Sequence, residues 1–179
     1  MNKGTLTPIK WGLLFLLSCT AFFSSLSFAE PPNLSILKKE VEYYHDSGQY
    51  AKEIACVIAQ AQRYILQQAA ANERHGNKKK LAIVLDIDET SLSNYSNMVK
   101  HQFVGDRALF HRYVLIANAP AISPTLTLFR KAQQHGVKVF FVTGRSKSEL
   151  QATKTNLLRA GYNHWAGLYC YFYFLLLLL

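Results

Sequence analysis

Apolar positions recur at helical spacing through the first third of the chain and then lose that period. Leu34–Asp46 reads as a helix, and Ser47-Gly48 interrupts it. A second helix is expected from about Gln49 to Asn72, because Ile54, Val57, Ile58, Ala61, Tyr64 and Ile65 fall on one face. His75-Gly76-Asn77 supplies a stop, with a glycine suited to a C-terminal cap. Leu81-Ala82-Ile83-Val84-Leu85 is then an apolar run without alternation, the pattern of a strand buried on both faces in a parallel sheet, and Asp86 closes it.

The rhythm continues as strand, helix, strand, helix. Ser91 to Ala119 mixes aromatic residues (Tyr95, Phe103, Phe110, Tyr113) with no clear period and reads as a partly helical insert. Ser123-Pro124 opens a helix, with serine expected as its cap and proline in its first turn, and Gly136 ends it. Val137–Val142 is a second apolar strand closing on Thr143-Gly144-Arg145. A helix from about Ser146 to Ala160 follows, stopped by Gly161. Such alternation predicts an α/β fold with a parallel sheet and right-handed crossovers.

Both ends break the pattern. Lys3 and Lys10 precede a mostly apolar run, Trp11–Phe23, which is short for a membrane span of about 20 residues. Ser27-Phe28-Ala29 then places small residues where a signal peptidase reads, so residues 1–29 are expected to be a signal peptide. An uncleaved anchor is one alternative. A lipoprotein acylated at Cys19, after Leu16-Leu17-Ser18, is another. Either way the expectation is export. Residues 169–179, an aromatic stretch ending in five leucines, hold no turn or cap residue and read as an atypical apolar tail with at most a third strand in it.

Composition narrows the class. Half of the 179 residues are hydrophobic and 17% are charged, enough for a packed core. The net charge of +9 favours anionic partners, although the Lys78–Lys80 run reads as a solvated turn and no nucleic-acid polymer is expected. Of the three cysteines, Cys56 falls on the apolar stripe and is expected to be a buried free thiol, and no cysteine–histidine spacing suggests zinc.

The candidate chemistry lies at the ends of the two strands, where open parallel sheets bind ligands. Asp86-Ile87-Asp88-Glu89-Thr90 brings two carboxylates together if the chain curls at Ile87. Their mutual repulsion calls for a hard divalent cation with oxygen ligands, usually Mg²⁺, which also offsets charge developing in phosphoryl transfer. Thr143 and Gly144 offer a hydroxyl and an amide to phosphate oxygens, with a helix N-terminus behind them.

Taken in order, Asp86-Ile-Asp88-Glu89-Thr90, Ser93-Asn94-Tyr95 and Val139–Val142-Thr143-Gly144-Arg145 resemble the haloacid-dehalogenase-like (HAD) phosphatases. Within them the chain is similar to the bacterial exported acid phosphatases of the class B and C kind, subfamily IIIB, from about Ser35 to Gly167. The resemblance implies a Rossmann-like parallel sheet. Residues 30–77 become an N-terminal helical extension, and 78–168 a partial core with a cap insert at 91–119. It also implies Mg²⁺-dependent hydrolysis of small phosphomonoesters, nucleotides among them. Asp86 would be the nucleophile that forms an aspartyl phosphate, and Asp88 the general acid and base. The Asp86 carboxylate and Asp88 carbonyl would hold the metal, and Thr143 and Gly144 the phosphoryl group. Tyr95 or Phe103 is a candidate to stack on a nucleobase, with core packing as the competing role. A later lysine and a later acidic pair of the family do not occur. The last strands are therefore expected to be missing, with one side of the central strand bare, and a truncated, non-catalytic fragment is the alternative function. Membrane contact is expected only through the leader or a lipid at Cys19, and the setting is periplasmic or secreted.

Overall fold

The computed structural model describes residues 33–75 and 78–170. The expected signal peptide, Cys19, Gly76 and the part of the tail beyond Cys170 lie outside the described residues. The chain divides into two compact units, residues 1–37 and 38–179. In the first, residues 33–37 form the opening turn of helix α1 (Leu34–Asp46), where Asn33 Oδ1 accepts the Ser35 N–H at 2.9 Å.

Helix α2 (Gln49–Arg74) begins after Gly48, whose φ of 81° is left-handed, a conformation glycine adopts without steric cost. Strand β1 (Ala82–Leu85), β2 (Lys138–Thr143) and β3 (Gly167–Cys170) form one parallel sheet in the order β1-β2-β3. Between β1 and β2 lie helices α3 (Tyr95–Lys100), α4 (Arg107–Ile116) and α5 (Ser123–Gln134). A 3₁₀ turn (Lys147–Glu149) leads from β2 into α6 (Leu150–Arg159). The insert is thus helical in two pieces. The third strand includes Tyr169 and Cys170 from the stretch expected as tail.

The core sits on one face of the sheet. Ile83 and Leu85 of β1 share that face with Val139 and Phe141 of β2, their register partners. Helices α2 and α5 cover them with Ile65, Ala69, Leu128, Phe129 and Ala132. Phe129, Phe141 and Tyr162 pack edge-to-face or offset with centroids 5.0–5.9 Å apart, the arrangement aromatic quadrupoles favour.

Four local expectations are corrected. β1 is not buried on both faces: Val84 is 64% exposed and Ala82 is open, because they point to the face of the sheet opposite the core. Cys56 is exposed rather than buried, and Val57 and Tyr64 on the same stripe are also open. Of that stripe only Ile65 is fully buried, since α2 meets α5 along its C-terminal half. Ser123 is the first residue of α5 and not its cap; Ile122 holds the cap position with no side-chain bond.

Candidate active site

Leu85 pairs with Phe141, so Asp86 leaves β1 beside the end of β2, where Thr143 and Gly144 follow. Ile87 is fully buried, and its carbonyl accepts N–H groups from Ser91 at 2.9 Å and Leu92 at 2.8 Å. That double acceptance winds residues 87–92 into a tight loop, with Glu89 left-handed at φ 54°. The Ser91 hydroxyl donates to the Asp86 carbonyl at 2.6 Å, and Tyr162 Oη donates to the Ser91 carbonyl at 2.9 Å. The loop is therefore tied to the hydrophobic core.

Asp88 is gripped from two sides. Arg145 Nη2 lies 2.6 Å from Asp88 Oδ1, and Arg145 Nε lies 3.1 Å from Oδ2, a fork-on-carboxylate pair. Asn94 Nδ2 donates to Asp88 Oδ1 at 2.8 Å and to Glu89 Oε2 at 2.9 Å, while the Asn94 N–H reaches Glu89 Oε1 at 2.5 Å. Arg145 is itself buried and steadied by Thr153 Oγ1 at 3.1 Å. Thr143 Oγ1 accepts the Arg145 N–H at 3.2 Å, which leaves the threonine O–H directed by whatever acceptor enters the site. A Cβ placed on Gly144 would meet nothing within 4 Å, and Gly144 lines the cavity beside Asp88 and Arg145.

Asp86 remains exposed. Its carboxyl lies above the usual aspartate range: partial loss of hydration raises it, the Ile87 N–H lowers it, and the neighbouring Asp88 charge raises it further against Arg145. A cavity of about 620 Å³ is walled by Asp88, Gly144 and Arg145 and, from α4, by Arg107, Phe110 and His111; Asp86 and Thr143 are not among its lining residues. Glu149 also lines it. It accepts the Ser146 N–H at 2.6 Å and stands 2.8 Å from His111 Nδ1. Burial works to raise the Glu149 carboxyl, and its bonds to Ser146 and His111 outweigh this and hold it below the usual range.

The structure thus brings Asp86, Asp88, Thr143 and Gly144 to one end of the sheet. Sequence reasoning did not single out Asn94, Arg145, His111, Glu149 or Tyr162. Asn94 and Arg145 stand inside the motifs, and buried polar residues beside paired acids are the signal that finds them. His111, Glu149 and Tyr162 carry no local signal.

The donor set suits a hard cation in part. Among the described residues no three His, Cys, Asp or Glu side chains converge on one point. Asp86 offers a carboxylate and Asp88 a main-chain carbonyl, while the Asp88 side chain is engaged by Arg145 and Asn94. Mg²⁺ is commonly held by one or two protein oxygens plus water and phosphate, so two donors fit it.

A parallel sheet whose strand ends present paired aspartates and a Thr-Gly turn places the chain among the α/β proteins that bind ligands beyond the carboxyl ends of their strands. Residues 29–171 match HAD superfamily, subfamily IIIB (acid phosphatase), and the chain belongs to that family. Phosphatases of this superfamily generally use a divalent metal. Acid phosphatase 1 of Solanum lycopersicum is 36% identical over 85 residues, 46% of this chain and 33% of that protein. The stem 28 kDa glycoprotein of Glycine max is 34% identical over 130 residues, 71% of this chain and 48% of that one. The class C acid phosphatase from Bacillus anthracis aligns with a TM-score of 0.59 at 25% identity, covering 76% of this chain and 58% of that one. The chain spans a third to a half of the length of these curated relatives.

Proposed function

We propose that this chain carries the catalytic centre of an exported, Mg²⁺-dependent acid phosphatase acting on small phosphomonoesters. The carrying observation is that Asp86, open to solvent, stands at the same sheet end as the clamped Asp88 and the Thr143-Gly144 turn. In this reading an Asp86 carboxylate oxygen attacks phosphorus and the bond to the leaving oxygen breaks, while Asp88 gives that oxygen its proton. Asp88 then takes a proton from water as the water attacks the aspartyl phosphate, releasing inorganic phosphate and restoring Asp86. Thr143 and Gly144 hold the phosphoryl oxygens. Mg²⁺ would rest on the Asp86 carboxylate and the Asp88 carbonyl and neutralise phosphoryl charge. The tungstate bound in the Bacillus anthracis structure supports a tetrahedral oxyanion as the ligand class.

The test is phosphate release from an aryl phosphate with and without Mg²⁺. Turnover that needs Mg²⁺ and vanishes in Asp86→Asn is expected. A folded, soluble chain with no turnover would refute activity in this chain. The bare edge of β1 favours a second reading, phosphate binding without turnover, because β1 carries the nucleophile. Saturable phosphate binding by an inactive chain would select it. Export predicts a mature N-terminus at Glu30; retention of residues 1–29 would argue for an anchor, and acylated Cys19 for a lipoprotein.

A further inference from the structure

A second, smaller cavity of about 170 Å³ lies where the hinge between α1 and α2 meets the 89–103 segment. Aromatic rings make most of its wall: Tyr44, Tyr50, Tyr95 and Phe103, with Met98 beside them and Glu89 at one side. His45 completes it, stacked on Tyr95 with centroids 3.3 Å apart and directed to Asp46, whose Oδ1 is 2.9 Å from Nδ1. No lysine or arginine lines it.

Its electrostatic surroundings run against the rest of the molecule. The chain has a net charge of +9 with 11 acidic residues, yet four of those acids act on the tyrosines of this one cavity. Asp46 accepts the Tyr95 hydroxyl at 2.9 Å, and Glu42 adds its charge to the same ring. Glu53 accepts the Tyr44 hydroxyl, and the Glu89 charge acts on Tyr50. Glu89 is held by neutral donors only, from Asn94, so no cation offsets it there. Burial first, then Asp46, pushes the Tyr95 hydroxyl up to about 12, and a side-chain bond to Glu53 raises Tyr44, so these rings stay neutral.

Aromatic rings whose hydroxyls are held by carboxylates, with Glu89 on the wall, attract a soft, weakly hydrated cation, and a quaternary ammonium is the group aromatic cages suit best. A nucleobase or an anion gains nothing from the surrounding negative charge. We propose that this cavity, which shares no lining residue with the 620 Å³ cavity, is a binding site for an organic ammonium group. The site stands on its own geometry and does not rest on the phosphatase reading.

Calorimetric titration of the full chain with choline tests it, with methylammonium as a second arm and 3,3-dimethylbutan-1-ol as the neutral isostere of choline. Saturable choline binding, at least about tenfold tighter than the isostere, is expected. Tyr50→Leu and Glu53→Gln should each weaken it about fivefold or more, while Tyr50→Phe, which keeps the ring, should retain it. Preference for choline would assign a quaternary head group, and preference for methylammonium a primary amine such as a lysine side chain; both support the site. Absence of binding by a chain that unfolds cooperatively, or equal binding of the neutral isostere, would overturn it.

Discussion

Arg145 grips Asp88 across 57 residues of sequence, with Nη2 2.6 Å from Oδ1 and Nε 3.1 Å from Oδ2. The contact joins the loop after β1 to the turn after β2, and it fixes the plane of the Asp88 carboxylate. Lysine has one point charge and no fork, so it cannot reproduce that hold. Arg145→Lys is expected to lower kcat by about 10²-fold, the scale of a misplaced catalytic group, with a smaller change in KM. Steady-state kinetics on an aryl phosphate check this. An unchanged kcat would show that Arg145 does not position Asp88.

Gly144 separates binding from stability. A methyl group there enters open space, so Gly144→Ala should change stability by less than about 0.5 kcal/mol. The methyl would stand where the phosphoryl group is proposed to lie, so phosphate affinity should fall about tenfold. Paired thermal melts and phosphate titrations give both numbers, and undiminished phosphate binding would remove Gly144 from the site.

Tyr162 is a core residue with a functional contact. Its hydroxyl reaches the Ser91 carbonyl at 2.9 Å, and that carbonyl also accepts the Ile122 N–H at 2.9 Å. Tyr162→Phe therefore leaves the carbonyl with one partner and should cost about 1 kcal/mol, or roughly 2–4 °C in Tm. A loss of activity larger than the loss of folded protein would show that the bond also shapes the 86–92 loop.

Glu149 gives a pH dependence with a defined sign. Its folded-state carboxyl lies below the ordinary glutamate value of about 4.5. The stability it contributes is thus present above that value and lost as pH falls through the lower folded value. Glu149→Gln removes the contribution, so the gap in urea midpoint between native and variant protein should be largest near neutrality. It should narrow on acidification below about 4.5. A gap that does not change with pH would refute the assignment.

The edge of β1 predicts self-association. Among the described residues no strand pairs with the outer edge of β1, and its backbone groups there form a template for another strand. Val84→Lys should reduce concentration-dependent association in sedimentation and leave the melting temperature nearly unchanged. Equal association would point to another surface.

Much of the architecture was legible in the chain, because helix and strand periods and glycine stops act over a few residues. Helices 34–46 and 49–74, the strands before Asp86 and at 138–143, and the stops at Gly136 and Gly161 all follow from local pattern. So do Asp86, Asp88, Thr143 and Gly144 as candidates, since each stands just past an apolar run. The sequence by itself did not determine which surfaces those elements would cover. Cys56 and Val57 read as core and face solvent, and Val84 reads as interior and points to the face opposite the core, because burial depends on what a neighbour places opposite. Only the tertiary structure decided that Arg145 and Asn94 converge on Asp88, that Tyr162 anchors Ser91, and that Glu89 meets the acid-bonded Tyr44 and Tyr95 at one aromatic cavity. Those contacts join residues tens of positions apart, and a one-dimensional pattern holds no distance between them.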